Sequence, residues 1–289
     1  MKEFIKKIFS SKKQEVRVSR DILEKGIYPV PKENPSDFFL MARNWVGSML
    51  QKEMTKLPEG FSKRGAYWIK AEYTTTAFED LTFAYKNQIF CILVEFIDKK
   101  TGQSLLPIQK IERLINESKK NNLIPCLYKV QILDLEKKLD IENLKKFSKG
   151  WNLYHAETQL KVIPEKIVTD ELVPMSDWEK NDFAIQVVKD YLKQQNYKLL
   201  SYQNVVGIDP QIWFENEEGQ QCWILVRYSV FPNDSSKKPT NMFDVVNYCK
   251  GFSGFFADVS FYSTEGNPSI LFRGRGSYIK FTGLEKLTK

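Results

Sequence analysis

Apolar side chains recur at helical spacing directly after Ser36, at Phe38, Met41, Trp45 and Met49. Side chains three or four residues apart lie on one face of a helix, so this spacing predicts an amphipathic helix packed on a core. Ser36 is a favourable N-cap residue, and we expect the helix to begin there.

Apolar runs follow this helix and predict strands that are interrupted by a second helix. In chain order, we predict strands over residues 66–74, 81–85 and 89–97, a helix over 105–120, and strands over 123–133 and 151–162. A charged stretch over 134–149 separates the last two strands and is predicted to be a helix or an excursion.

The same order of elements then begins again. We predict a helix that contains Phe183 and Leu192, then strands over 197–203, 211–215 and 222–230, a helix over 241–249, and strands over 255–262 and 270–281. The predicted class is therefore α/β (α+β, mixed sheets), with two similar helix-meander-helix-strand units in tandem. The predicted domains are a basic tail and linker over 1–35, a first unit over 36–172 and a second unit over 173–289, with 173–182 as its leading linker.

A repeated segment supports this division. Residues 80–96 and 209–228 each begin with an aspartate, Asp80 or Asp209, and continue through a short apolar run and a polar turn. Both then read Ile-Leu-Val, one charged residue and one aromatic residue. Similarity at a long period is the signature of a duplicated structural unit.

The positive charge of the chain is concentrated at its beginning. The net charge is +7, and residues 1–20 carry +5 of it, so the rest of the chain is close to neutral. A nucleic-acid-binding domain normally concentrates basic side chains on one face, because phosphate neutralisation supplies much of its affinity. The charge of the remaining chain therefore does not by itself indicate nucleic acid.

The first twenty residues place Phe4, Ile5, Ile8 and Phe9 among lysines, which predicts a short basic amphipathic segment. Such a segment frays, docks on its own domain, or touches an anionic surface such as a membrane or nucleic acid. No apolar run approaches the roughly 20 residues that span a bilayer, and no secretion signal is visible. We therefore expect no integral membrane segment, and a bacterial-type cytoplasmic protein.

The cysteines and the single histidine do not suggest a catalytic or metal centre. Cys91, Cys126, Cys222 and Cys249 are far apart and are predicted to be reduced thiols, mostly in buried strands. His155 stands alone, so a structural role is expected, with a lone acid or base as the alternative. No phosphate-binding loop, dinucleotide fingerprint or nucleophile elbow is present, and we expect no cofactor.

The repeated order of elements resembles the core of the PD-(D/E)xK nuclease superfamily, the restriction-endonuclease-like fold. The resemblance implies an acid at the start of the second strand and an acid-x-Lys triplet on the third strand. Residues two apart on a strand face the same side, so the triplet's acid and lysine both reach the site. The two acids would hold Mg²⁺, which stabilises charge on the phosphate and activates water.

Neither half carries the complete set of residues that the resemblance requires. In the second half, Asp209 precedes Pro210, but the position after the proline is Gln211. The triplet has Leu225 in place of its acid and Arg227 in place of its lysine. Leucine cannot bind Mg²⁺, so these positions predict core packing and no catalysis.

In the first half, Asp80 matches the first acid, with Glu79 beside it. A triplet that begins at Leu93 lacks its acid, and a triplet that begins at Glu95 lacks its lysine. Glu79, Asp80 and Glu95 are nevertheless the best metal-site candidates of the chain, although no metal is expected. The alternative is a solvated pair of acids at a turn and a charge at a strand edge.

The remaining binding candidates are aromatic and basic. Trp213 and Trp223 belong to an aromatic hairpin that is either core or an exposed platform for stacking bases or a partner protein. Arg273 and Arg275 flank a glycine turn and could also clasp an anion or an acidic partner loop. With Arg227, these residues complete the set of candidate binding residues.

We interpret the chain as a non-catalytic binding protein of two degenerate nuclease-like units that most readily engages a protein partner. The alternatives are a nucleic-acid-binding protein and a Mg²⁺-dependent nuclease with non-standard carboxylates. A protein-binding function predicts an exposed aromatic or mixed-charge patch. Nucleic-acid binding predicts Lys and Arg on one face, and nuclease activity predicts Mg²⁺ or Mn²⁺ at Glu79, Asp80 and Glu95.

Overall fold

The computed structural model describes residues 36–57, 65–70, 77–132 and 150–287. The predicted basic segment over 1–35 and the charged stretch over 134–149 lie outside these residues. The chain divides into two compact units. We call the described residues up to Val173 the first unit and those from Pro174 onward the second unit.

The first unit contains a mixed sheet of six strands in the order in which they occur along the chain. Its elements are α1 (Asp37–Met54), β1 (Ala66–Lys70), β2 (Leu81–Tyr85), β3 (Gln88–Asp98), α2 (Ile108–Asn121), β4 (Ile124–Ile132), β5 (Leu153–His155), β6 (Lys161–Val162) and α3 (Pro164–Ile167). Strands β1 to β3 form an antiparallel meander. Strand β4 then lies parallel to β3 after the crossover through α2, and β5 and β6 add antiparallel strands.

Helix α1 begins where its sequence predicts. The Ser36 side chain accepts a hydrogen bond from the Phe39 N–H group, with 3.3 Å between oxygen and nitrogen. Asp37 in the first turn also interacts favourably with the helix dipole. Further along the helix, Trp45 and Val46 are buried in the core of the first unit.

The centre of the first unit is a stack of aromatic rings on the sheet. The Phe83 ring lies parallel to that of Phe90 on the neighbouring strand, with ring centroids 4.8 Å apart. It also stacks on Trp151, at 5.5 Å. Each such ring buries roughly 150–250 Å² of surface on folding, so this stack contributes strongly to the stability of the unit.

The second unit contains a mixed sheet whose strand order is β11-β10-β9-β8-β7, with β12 also pairing with β10. Its elements are α4 (Asp177–Gln194), β7 (Lys198–Tyr202), β8 (Ile212–Glu215), β9 (Gln221–Val230), α5 (Met242–Tyr248), β10 (Ser253–Ser263), β11 (Ser277–Phe281) and β12 (Glu285–Lys286). Strands β7 to β9 form an antiparallel meander, and β10 is parallel to β9 after the crossover through α5. Strand β11 is antiparallel to β10.

Helix α4 begins inside the segment that was predicted as a linker. The Ser176 side chain accepts from the Glu179 N–H group, and the Glu179 carboxylate accepts from the Ser176 N–H group. This reciprocal capping box satisfies two backbone groups at the helix start. The expected linker over 173–182 therefore ends at Ser176.

The two units share their strand directions and their pairing register. Leu81 pairs with Ile92 in the first unit, and Ile212 pairs with Ile224 in the second. The first strand of each meander also shifts register at the matching place, before Lys70 in one and before Ser201 in the other. Counting from these pairs, Asp80 corresponds to Gln211, Leu93 to Leu225, and Glu95 to Arg227.

Two predicted strands are shorter than expected. The run over 270–281 is a strand only from Ser277, because Gly274 adopts a left-handed backbone with φ of 68° in a turn. The run over 151–162 divides into β5 and β6, because Gln159 adopts φ of 58° between them. The described structure otherwise has the predicted α/β class, with mixed sheets and five helices.

Two glycine-to-alanine substitutions are expected to change stability in opposite directions. A Cβ atom at Gly254 would overlap the indole ring of Trp223, so Gly254→Ala should destabilise the protein by about 1–3 kcal/mol. A Cβ atom at Gly47 in α1 would lie 3.9 Å from Leu81 Cδ2, which is ordinary contact. Gly47→Ala should therefore stabilise α1 by about 0.5–1 kcal/mol. Urea denaturation of both variants measures the two shifts, and equal shifts would contradict the packing around Trp223.

Candidate functional site

The start of the second strand of each meander carries a polar side chain with the same structural role. In the first unit, the Asp80 Oδ2 atom accepts a hydrogen bond from the Val94 N–H group at 2.8 Å. In the second unit, the Gln211 Oε1 atom accepts from the Val226 N–H group, also at 2.8 Å. Each side chain therefore satisfies a backbone donor of the neighbouring strand, at the position where the nuclease resemblance expects a metal ligand.

The Asp209 carboxylate is engaged by three side chains of the second unit. Its Oδ2 atom lies 2.8 Å from the Arg227 Nη2 atom and 3.2 Å from the Asn241 Nδ2 atom. Its Oδ1 atom accepts from the Gln211 Nε2 atom at 2.8 Å. Because Asp209 is buried and its charge is balanced by a guanidinium group, this carboxylate is not poised to bind a divalent cation.

The sheet register identifies the residues that lie opposite Asp80 and Gln211. In the first unit this residue is Leu93, and in the second unit it is Leu225, since the strands pair at Ile92 and Ile224. Both leucines are buried. In the pairing register, Leu93 of the first unit therefore corresponds to Leu225 of the second.

The first unit holds a buried ion pair between Lys70 and Glu79. The Lys70 Nζ atom lies 3.2 Å from Glu79 Oε1 and 3.0 Å from the Glu79 carbonyl oxygen. The two side chains are 1% and 0% exposed. Burial removes water from the carboxylate and raises the pKa of Glu79 above its ordinary value, although Lys70 acts in the opposite direction.

The three carboxylate candidates are buried, but each has its own surroundings. Asp80 accepts the Val94 amide, Glu79 pairs with Lys70, and Glu95 is buried with its Oε2 atom lacking a hydrogen bond among the described residues. The part of the chain that the structure describes contains no group of three or more His, Cys, Asp or Glu side chains suited to a metal ion. The alternative prediction, a solvated pair of acids and an edge charge, is wrong because all three side chains are buried.

The tryptophans of the aromatic hairpin belong to the core. Trp213 and Trp223 are 2% and 1% exposed, so the alternative of an exposed stacking platform is wrong for both. They pack in one cluster with Leu225, with Val245 of α5 and with Phe256 of β10. The crossover helix covers this face of the sheet, and the sequence alone did not show which face it would cover.

The candidate arginines are engaged inside the second unit. Arg273 forms two hydrogen bonds of 2.7 Å with the Glu179 carboxylate, and both side chains are buried. Arg273 is therefore not available to clasp an external anion, as had been predicted as an alternative. Arg275 is paired with Glu265 at 3.3 Å in a more exposed position. Arg227 keeps 24% of its side chain exposed while it pairs with Asp209.

The cysteines and the histidine have structural surroundings. The four cysteines are free and buried, as predicted. Burial raises the pKa of Cys91 and Cys126, and it raises the pKa of Cys249 to about 12, so these thiols stay protonated and unreactive near neutral pH. The His155 Nδ1 atom accepts from two backbone N–H groups of the following turn, at 3.3 Å each, which fits the expected structural role.

The structure also exposes aromatic side chains that the sequence pattern did not single out. Phe243 on α5 is 71% exposed, and Tyr248 at the end of this helix and Phe252 after it are also exposed. We call these three residues the α5 aromatics. The buried side of α5 uses Val245, with Cys249 following the helix. The sequence has more apolar residues in and after α5 than its buried side uses. This excess could have indicated a second, exposed apolar face.

The structure thus defines a chain of two mixed α/β units, and the candidate residues Asp80, Asp209 and Arg273 form hydrogen bonds within their own unit. Residues 178–287, most of the second unit, match the model of a protein family described as a domain of unknown function (DUF8840). No curated protein matches the chain, and no solved structure does. None of the described helices has the length and apolar character needed to cross a membrane.

Proposed function

We propose that this protein is a non-catalytic binding protein, built from two degenerate nuclease-like units, that engages a protein partner. The observation that carries the proposal is the shared role of Asp80 and Gln211. Each side chain accepts a hydrogen bond from a backbone N–H group of the neighbouring strand, at the position where the resemblance implies a metal ligand. A glutamine can make this hydrogen bond as well as an aspartate can, so the position serves the fold without its metal-binding chemistry.

The resemblance to PD-(D/E)xK nucleases is supported by the order and direction of the elements in each unit. A helix, a three-stranded meander, a crossover helix and a parallel strand occur in both. The common register shift before Lys70 and Ser201 supports descent of the two units from one duplicated module. Duplicated modules that have lost their catalytic residues can keep a rigid sheet that presents surface side chains.

The distribution of exposed groups favours a protein partner over nucleic acid. The α5 aromatics are exposed, and aromatic side chains are enriched at the centres of protein interfaces. Two of the candidate arginines, Arg227 and Arg273, are paired with Asp209 and Glu179. Their charges are thus largely balanced within the unit.

The experiment compares the full chain with a Phe243→Ser/Tyr248→Ser variant in affinity capture from extracts of its own cells. We expect a protein that is retained by the natural chain and reduced at least tenfold with the variant, since loss of hot-spot aromatics costs about 2 kcal/mol or more each. A variant at Lys237, an exposed residue outside the α5 aromatics, serves as the matched control and should retain the partner.

Two outcomes would contradict this function. Retention of nucleic acid that is released steeply by salt, with no retained protein, would indicate the nucleic-acid alternative. Cleavage of plasmid or single-stranded DNA in Mg²⁺ or Mn²⁺ that disappears in Asp80→Ala would indicate a nuclease. We expect no metal-dependent cleavage by the natural chain or by Asp80→Ala, because Asp80 and Asp209 form hydrogen bonds within their own units.

A further inference from the structure

Strand β11 forms an outer edge of the sheet in the second unit, because the strand order begins at β11 and continues inward with β10. No described strand pairs with its outward side. Two large apolar residues of this strand are exposed, Tyr278 at 71% and Ile279 at 44%. An edge of this kind presents backbone groups to which another strand can bind.

The backbone hydrogen bonds show which residues of β11 face outward. The Phe261 carbonyl accepts from the Phe231 N–H group at 3.2 Å, so the backbone groups of Phe261 point away from β11. Phe261 is the pairing partner of Ile279. Because the backbone groups of Phe261 point away from β11, Phe261 and Ile279 form a non-hydrogen-bonded pair of the antiparallel ladder. The N–H and C=O groups of Ile279 therefore face outward, at the centre of the strand.

The sequence of β11 is complementary to itself under a two-fold axis. If a second β11 pairs antiparallel about Ile279, Ser277 lies opposite Phe281, and Tyr278 lies opposite Lys280. A lysine beside a tyrosine ring is favourable, and the two lysines do not face each other. A pairing shifted from this register loses the Tyr–Lys match and can bring like charges together, so Lys280 favours this single register.

We propose that the protein self-associates through antiparallel pairing of β11 with β11 of a second copy, with the two-fold axis at Ile279. Five-residue edges bury less surface than a standard stable interface of about 1,600 Å². The association should therefore be weak and dependent on concentration, unless other surfaces add to it. The proposal does not depend on whether either unit has catalytic activity.

Cysteine trapping in the full chain tests the register directly. Across the two-fold axis, the two Ile279 Cα atoms would lie about 5.5 Å apart, within the range that a disulfide spans. The natural cysteines are buried, so the introduced thiol is the reactive one. We expect Ile279→Cys to form a covalent dimer under mild oxidation. Ser277→Cys is the matched control: the Cα atoms of its two copies would be about 14 Å apart and should not cross-link.

Sedimentation of the untagged chain over a range of concentrations tests the association without a cross-link. Ile279→Pro removes an outward N–H group and the exposed isoleucine side chain, and it should weaken dimerisation at least tenfold while the fold is kept. If the proline disturbs the strand, Tyr278→Lys provides the same test, since it places two lysines opposite each other. A protein that stays monomeric and does not cross-link overturns the proposal. Equal cross-linking at Ser277→Cys, or an association insensitive to both variants, also overturns it.

Discussion

Replacing Arg273 with methionine is expected to lower the free energy of unfolding of the second unit by about 3–5 kcal/mol. The substitution leaves Glu179 as a buried carboxylate that has lost both of its 2.7 Å hydrogen bonds to the guanidinium group. Glu179 also belongs to the capping box with Ser176, so the loss affects the start of α4. Urea denaturation, followed by hydrogen exchange of peptides from α4, measures the effect.

A less buried arginine two residues away, Arg275, provides a control. Arg275 pairs with Glu265, whose side chain is 43% exposed, so Arg275→Met leaves a carboxylate that water can reach and should cost clearly less than Arg273→Met. The double variant Glu179→Gln/Arg273→Met removes the uncompensated charge and should recover part of the loss. An Arg273→Met protein with unchanged stability would show that the pair contributes nothing to the fold.

Replacing Lys70 with methionine is expected to have a comparable effect in the first unit, about 3–5 kcal/mol near neutral pH. Glu79 would lose its charged partner while its side chain stays fully buried. The pKa of Glu79 is already raised by burial, and removal of Lys70 removes an influence that lowers it. The folded variant will therefore hold a proton on Glu79 up to a higher pH than the natural chain does.

This shift gives the loss of stability a definite pH dependence. A carboxyl group whose pKa is higher in the folded state contributes its stability below the unfolded pKa, and this contribution is lost as pH rises through the folded value. The stability of Lys70→Met should therefore be closest to that of the natural protein near pH 4.5, the ordinary pKa of the carboxyl group. At higher pH, the variant should become progressively less stable than the natural protein. Urea denaturation at about pH 5 and about pH 8 compares the two proteins.

Two variants act as controls for this prediction. Lys119 pairs with Glu157 at the surface, and Lys119→Met should leave stability unchanged at both pH values. Lys70→Met/Glu79→Leu replaces the pair by apolar groups and should remove the pH dependence. A Lys70→Met protein whose loss of stability is the same at both pH values would contradict the assignment to Glu79.

Much of the fold follows from local sequence patterns. The Ser36 N-cap, the runs that form β2 and β9, and the two crossover helices were all predicted close to their observed bounds. These features depend on side-chain periodicity and on groups a few residues apart. The errors lie at turns such as those at Gly274 and Gln159, where a residue with a left-handed backbone interrupts a run that was predicted as one strand.

The polar sites were harder to predict, because their partners are distant in the chain. Arg273 was considered an anion clasp, yet its partner Glu179 lies 94 positions earlier. Trp213 and Trp223 could have been core or surface, since a strand alternates its faces without indicating which one a helix will cover. The correspondence of Asp80 with Gln211 needed the sheet register, because the turns between the matching strands differ in length.

The order of amino acids by itself determined the type and succession of most secondary-structure elements, and it determined that the positions implied by the nuclease resemblance carry an incomplete set of residues in both halves. Those properties depend on short-range spacing and on residue chemistry. Only the tertiary structure decided that the candidate carboxylates, among them Asp209, are buried. It also decided which groups they contact, as in the ion pair of Asp209 with Arg227. Burial and ion pairing depend on which surfaces pack together, and side chains far apart in the chain meet only when the sheets and helices have assembled.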